Sequence, residues 1–315
     1  MQRTKLLIFK HLCFIHAKII QTCSTFAYSQ GNIDQQDGVM MIATFSLSPA
    51  GAKRLIARGL INEPVFQQAM THGRMIIAVG TTNSYIAEEL GLISADEKPR
   101  FAAGIVSGGV PCVTVADTRF ANICLESGHI IKDVSWEDFI MDFNQDDVFI
   151  KGANAFDTDG NAGVLLANPK GGTVGGSFGV LAARGCKLLV PVGHEKFIPS
   201  CTAAARLMGI NRLDYSLGQR CGLALLPAGF ARIYTEIDAL KTLFAVEATI
   251  VAAGGVSGSE GSVMLAIDGP DEAVKDALAL ARSLLKEKPL SVPRQSCKDC
   301  RVSSNCVFKE IPPKD

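Results

Sequence analysis

Short apolar runs that end on glycine or a small polar residue, each leading into a helical pattern, constrain this chain most. MIIAVG (75–80) runs into TTNSYIAEELG, VFIKGAN (148–154) into a long polar turn, and CKLLVPVG (186–193) into a stretch that becomes helical near Ser200 or Thr202. Runs this short suit buried strands, and the glycines that follow allow tight strand-to-helix turns. Repeated alternation of this kind predicts an α/β fold: three-layer, with a largely parallel sheet flanked by helices. FAAGIV (101–106), VPCVTV (110–115) and LALLPAG (223–229) read as further strands, the last as one of the core set. SPAGAKRLIARGL and NEPVFQQAMTHG read as helices, each with proline at its start and glycine near its end.

Four segments follow from this pattern. Residues 1–40 are an accessory or poorly structured extension, with a basic helix packed on a domain or partner as the alternative. MQRTKLLIFKHLCFIHAKII is basic and apolar like a secretory leader, but Lys10, His11, His16 and Lys18 interrupt its apolar stretch. Residues 41–232 form the α/β ligand-binding core. Residues 233–290 change pattern: TEIDALKTLF, ATIVAAGGV, EGSVMLAIDG and PDEAVKDALALARSLLKE read as helix, strand, strand, helix. That order predicts a small α+β subdomain near the C-terminus, or two strands added to the main sheet. Residues 291–315 are a polar, cysteine-containing tail.

Composition narrows the function classes. At 315 residues a chain buries roughly 75% of its extended surface on folding and needs no disulfide or metal to do so. The 31 basic and 31 acidic side chains balance, and no window carries a basic stripe. Nucleic acid is therefore not an expected partner. No uninterrupted apolar stretch spans a bilayer, so no membrane association is expected. Of the ten cysteines, those from Cys112 to Cys221 sit mostly in apolar or small-residue surroundings, as thiols of a reducing cytoplasm do. Assembly into homo-oligomers stays open.

Three turns are candidates for holding a small anionic metabolite. Thr81, Thr82 and Asn83 follow a strand and open a helix, where backbone N–H groups face a ligand; the alternative is ordinary capping by the same side chains. Lys151 and Asn154 stand in KGAN at another strand end, before Asp157-Thr158-Asp159-Gly160-Asn161. Lys151 would neutralise charge and Asp157 would move a proton; the alternative is an Asx-stabilised turn. Lys170, Gly171, Gly172 and Thr173 open a glycine-rich approach to a helix, and this matches neither GxxxxGK[ST] nor GxGxxG. In VTVADTRF, Arg119 would clamp a phosphate or carboxylate while Asp117 orients it or acts as base, unless the two form a structural ion pair. His194 and Glu195 offer an acid–base pair without a GxSxG elbow. In a parallel sheet these turns converge at the strand C-termini.

VGTTNSYIAEEL, VTVADTR and DDVFIKGANAFDTDGN together resemble the sugar-phosphate isomerase, deoxyribose-operon-regulator and coenzyme-A-transferase class of α/β proteins. Within it they are most similar to the methylthioribose-1-phosphate isomerase group and related initiation-factor regulatory subunits. The resemblance covers roughly residues 75–180 and implies a phosphate- or sugar-binding architecture. It also implies an aspartate after Gly-Ala, where this chain has Asn154, and an amide is no general base near neutral pH. The resulting expectation is an enzyme acting on a small phosphorylated or carboxylated metabolite, such as a sugar-phosphate isomerase relative. The alternative is a metabolite-sensing or assembly subunit that keeps the pocket.

Cys297-x2-Cys300-x5-Cys306 stands apart. Three soft donors at this spacing suit zinc or an iron–sulfur cluster, with a fourth ligand from elsewhere, while the core needs no cofactor. Fortuitous thiols are the alternative.

Overall fold

In the computed structural model, residues 39–292 and residue 306 are described, all within one compact unit that begins at Val39. The elements are β1 (Met40–Leu47), α1 (Pro49–Leu60), α2 (Pro64–His72), β2 (Arg74–Ile77), α3 (Thr81–Glu89), β3 (Gly104–Ser107), β4 (Val110–Val113), β5 (Ile123–Glu126) and β6 (His129–Ile130). There follow α4 (Trp136–Phe139), β7 (Val148–Ile150), β8 (Ala155–Phe156), β9 (Ala162–Leu166), α5 (Gly172–Arg184), β10 (Lys187–Pro191) and α6 (Cys201–Leu207). The last are β11 (Gly222–Leu226), β12 (Ala231–Tyr234), α7 (Glu236–Phe244), β13 (Glu247–Gly254), β14 (Ser262–Pro270) and α8 (Asp271–Leu284).

The main sheet runs β12-β10-β7-β2-β5-β6. Its first four strands are mutually parallel, and β5 and β6 continue it antiparallel. The fold is therefore mixed α/β with a mostly parallel central sheet. Side chains alternate across it with the period of two that a strand imposes. Met75, Ile77, Val148, Ile150 and Leu189 join one apolar cluster, which includes residues of α1, α2, α3, α7 and α8. Ile76, Phe149, Leu188 and Val190 join the other, with Phe139, Val174 and Leu181. Each fully buried side chain of this size contributes about 2 kcal/mol by leaving water, which is why runs as short as RMII and VFI hold their places.

One sequence reading changes. LALLPAG is not a core strand: its β11 pairs antiparallel with β9, in a separate sheet ordered β11-β9-β8. The fourth parallel strand is instead β12, ARIY, whose alternating polar residues conceal it. FAAGIV and VPCVTV yield only the hairpin β3–β4, a two-stranded sheet of its own.

The C-terminal helix-strand-strand-helix order is present, and it gains a partner from far away in sequence. β1 pairs antiparallel with β14 from Met40↔Pro270 to Leu47↔Val263, giving the sheet β1-β14-β13. β1 leads into α1, whose N-terminus is set by Ser48: its hydroxyl accepts from Gly51 N at 3.2 Å, with Pro49 at the next position.

Helix α1 lies against α7 at Gly59. A Cβ there would fall 2.5 Å from Ala239 Cβ and 2.6 Å from Ala239 Cα. Alanine normally gains up to about 1 kcal/mol over glycine inside a helix. Here the backbone contact outweighs that gain, and Gly59→Ala is expected to lower stability by about 2 kcal/mol. Denaturant titration checks this, and an unchanged or raised midpoint would show that α1 and α7 can separate freely.

Candidate functional site

Strand polarity places the site. Because β2, β7, β10 and β12 are parallel, the segments that follow them emerge at one edge: Gly80–Asn83, Lys151–Asn154, His194–Lys196 and Thr235–Glu236. A cavity of about 870 Å³ opens there. Its lining includes Thr81 and Thr82, Lys151 and Asn154, and Gly171 to Thr173, so all three candidate turns reach it. The β3–β4 hairpin forms another wall, and Glu260 comes from the loop between β13 and β14.

The opening of α3 is built differently from a capped helix. Its N-cap, Gly80, has no side chain to cap with. The residues that commonly cap are engaged elsewhere. Asn83 is fully buried and absent from the cavity wall; its Nδ2 donates to Ala78 O at 2.7 Å and Ile150 O at 3.3 Å, tying β2 to β7. Ser84 Oγ donates back to Thr81 O at 2.8 Å. Thr82 is 1% exposed, and its hydroxyl has no hydrogen-bond partner among the described residues. Tyr85 OH, one turn on and also on the cavity wall, has none either. Buried polar groups are normally satisfied; with Asn83 Oδ1, also unpartnered among the described residues, these two hydroxyls make the uncapped helix start a candidate place for a group from outside the chain.

Four cations line the cavity against one carboxylate: Lys53, Arg119, Lys151 and Lys196 against Glu260. Lys53 Nζ is paired with Glu195 Oε1 at 2.7 Å and also donates to Pro49 O. Arg119 has no ion pair among the described residues; its Nε donates to Thr114 Oγ1 at 2.9 Å and its Nη2 to Thr114 O. Burial pulls its pKa below the usual guanidinium value. Burial, and then the charge of Lys196, lower Lys151 to about 8. Lys196 is lowered to about 8 by burial and then by Lys53, with Glu195 and Glu236 opposing.

Several sequence candidates lie elsewhere. Asp157 is buried and absent from the cavity wall. Its carboxylate accepts from Cys201 N at 2.8 Å and from Asn161 N at 2.9 Å, closing the 157–161 turn and holding the start of α6. Burial acts to raise its pKa, but these N–H groups outweigh it and hold it below the ordinary value. Asp117 is exposed, outside the cavity wall, and forms no ion pair with Arg119. Lys170 is exposed and also off the wall, though the turn it opens is not: Gly171, left-handed at φ 80°, swings the chain into α5. Asn154 reaches the wall, but its Oδ1 accepts from Leu165 N at 2.9 Å. His194 and Glu195 part company: His194 Nδ1 lies 2.7 Å from the buried Glu236 Oε2, while Glu195 takes Lys53.

Lys53, Lys196 and Tyr85 were not singled out by sequence. Lys196 sits beside His194 and Glu195 in HEK, and only the 3-10 turn after β10 decides which of the three faces the cavity. Cys297 and Cys300 lie outside the described residues. Cys306 is half-buried and bridges to Gln219, a residue of the cavity wall. Among the described residues no cluster of three or more His, Cys, Asp or Glu is placed to hold a metal. Among them too, no helix is long and apolar enough to cross a membrane.

Comparison with protein-family models, with curated proteins and with solved structures found no match to this chain.

Proposed function

We propose that this chain binds a small phosphorylated or carboxylated metabolite in the cavity at the strand ends and acts on it as an enzyme. The observation that carries the reading is the uncapped start of α3 on the wall of a cavity with four cations and one carboxylate, where Thr82 holds a buried, unpartnered hydroxyl. The backbone N–H groups of the helix start and the Thr82 hydroxyl donate to the anion. Lys151, Lys196 and Arg119 balance its charge. The two apolar clusters that share alternate residues of β2, β7 and β10 support a three-layer arrangement around this edge.

Lysines rather than carboxylates are the proton-moving groups in this reading. An amine with a pKa about 8 gives up and recovers a proton near neutral pH, whereas Asp157 and Asp117 lie off the cavity wall. A metabolite sensor without turnover is the second reading, favoured by Asn154, whose carboxamide oxygen is engaged by β9. Assay of a panel of sugar phosphates for both binding and conversion separates the two: tight binding with no conversion of any of them selects the sensor.

The test of the anion site is calorimetric titration with sulfate, which stays dianionic over the working range. Thr82→Val is expected to weaken sulfate binding by about tenfold while leaving the melting temperature unchanged or slightly raised, because the hydroxyl it removes is already unsatisfied. A variant that binds sulfate as well as the parent would remove Thr82 from the site. The sign of the pH dependence follows from the two lysines. Below pH 8 both are charged; as pH rises through about 8 they become neutral and attraction for a dianion is lost. Sulfate affinity is therefore expected to fall by roughly tenfold between about pH 7 and pH 9.5. A flat profile would mean that neither amine faces the ion.

A further inference from the structure

Three amines reach the cavity, and they differ in their company. Lys53 has a carboxylate partner, Glu195. Neither Lys151 nor Lys196 has an ion pair among the described residues. They donate instead to consecutive carbonyls of one short segment, Lys151 Nζ to Gly152 O at 3.1 Å and Lys196 Nζ to Ala153 O at 2.9 Å. Two ammonium groups brought to one place disfavour each other's charge, and a lysine beside another cation in a desolvated pocket is an activated nucleophile.

Position adds to reactivity. Lys151 is the first residue after β7, which runs parallel to β2 on one side and β10 on the other. Adjacent strands lie about 4.8 Å apart. Asn83 Nδ2 donates to Ile150 O, so the residue preceding Lys151 is tied to the first turn of α3. An anion held by Thr81 and Thr82 thus has Lys151 rooted one strand away. The remaining charged groups around the two amines and on the cavity wall are Lys53 on α1, Glu195 on the turn after β10, Glu236 on α7, Arg119 after the β3–β4 hairpin and Glu260 in the loop between β13 and β14.

We propose that Lys151 forms a protonated imine with a carbonyl carbon of the bound ligand, which makes the substrate a phosphorylated or carboxylated aldehyde or ketone. This rests on the anion site of the preceding subsection. The lone pair of neutral Lys151 Nζ attacks the carbonyl carbon, and the carbonyl π pair moves onto oxygen. A proton passes from nitrogen to that oxygen, giving a carbinolamine. The nitrogen lone pair then expels the hydroxyl group, which takes a proton from the Lys196 ammonium and leaves as water. The positive charge ends on the iminium, and Lys196 is left neutral. In that form Lys196 is a base for a proton on the carbon next to the iminium, the step that an isomerisation of the carbonyl compound requires.

The test uses the full chain with glyceraldehyde 3-phosphate as probe, reduction by sodium borohydride, peptide mapping by mass spectrometry and a parallel sulfate titration. At pH 7 the neutral fraction of an amine with pKa about 8 rather than 10.5 is larger by two orders of magnitude. Lys151 is therefore expected to be labelled roughly 100-fold faster than exposed lysines, and saturating sulfate is expected to protect it. Lys151→Arg, checked for folding by its melting curve, is expected to abolish the cavity adduct; Lys196→Gln is expected to slow it at least about tenfold. Sulfate binding without an adduct on Lys151, or with the adduct on Lys196 instead, overturns the imine and leaves the anion site standing. Absence of sulfate binding overturns the anion site and the imine with it.

Discussion

Lys196→Met is expected to raise the melting temperature by a few degrees at pH 7 while cutting sulfate affinity at least about tenfold. The two effects have one source. Folding lowers the Lys196 pKa from 10.5 to about 8, through burial first and then the charge of Lys53. Below pH 8 the group is charged in both states, so the folded state carries the whole cost of an unwelcome ammonium. That cost fades as pH rises from about 8 to 10.5, where the unfolded chain still holds the proton and the folded chain does not. A shift of this size corresponds to roughly 3 kcal/mol. Lys196 keeps some contact with solvent and loses its bond to Ala153 O on substitution, so the net gain is nearer 1–2 kcal/mol. Methionine matches the lysine stem in length and keeps its apolar packing. Scanning fluorimetry at pH 7 and pH 10 checks the sign: the advantage of the variant shrinks at the higher pH. A variant less stable than the parent at pH 7 would show that Glu195 and Glu236 hold the ammonium more strongly than its burial opposes it.

Asp157→Ala is expected to do the reverse, costing about 3 kcal/mol of stability and leaving sulfate affinity within about twofold. Removal of the carboxylate strands the buried N–H of Cys201 and the part-buried N–H of Asn161, and unsatisfied buried donors are more costly than the average hydrogen bond. The folded-state pKa of Asp157 lies below its ordinary 3.8. Its contribution is therefore complete above that value and is lost as pH falls through the folded pKa. The parent protein should accordingly lose stability more steeply below about pH 4 than the alanine variant does. If urea midpoints of the two proteins agree at neutral pH, the 157–161 turn does not depend on Asp157. If instead turnover vanishes with stability intact, Asp157 belongs to the chemistry after all.

The sequence made the parallel strands β2, β7 and β10 readable because MII, VFI and KLLVP are dense in aliphatic residues and end on Gly, Lys-Gly and Pro-Val-Gly. The turns at 80–83, 151–157 and 170–176 were readable as turns from their small polar residues and glycines, although the same residues equally suit ordinary capping or an Asx turn. What lay beyond reach was direction. Asn83 and Thr82 are neighbours in the same polar string, yet one bridges two strands and the other lies on the cavity wall; a rotation of 100° per residue separates them. Lys170 and Lys196 look alike as lysines near glycine, but the first follows an Asx-type turn outward and the second rides a 3-10 turn inward. Lys53 lies in SPAGAKRL, where every helical reading puts charge on the surface, and only the Glu195 pairing draws it to the site. β5, ICLE, and β12, ARIY, escaped for a plainer cause: a charged or polar residue interrupts each, and pairing supplied from neighbours already in place overrides weak local preference.

The β1–β14 pairing bears on how the molecule comes to be assembled. Met40 finds Pro270 and Leu47 finds Val263, so an early strand must wait for a late one while the chain between them is made. In that interval Phe45 and Leu47 lack the strand they are packed beside in the finished protein, and the small sheet presents an open edge. Contacts so distant in sequence slow the final ordering step and prolong exposure to aggregation. Only Thr44 and Ser46 on the outward face of MMIATFSL are polar, and Met40 and Ile42 stay exposed beside them even in the finished protein. The end of biosynthesis, rather than its beginning, would then set when α1 and the first wall of the cavity lock into position.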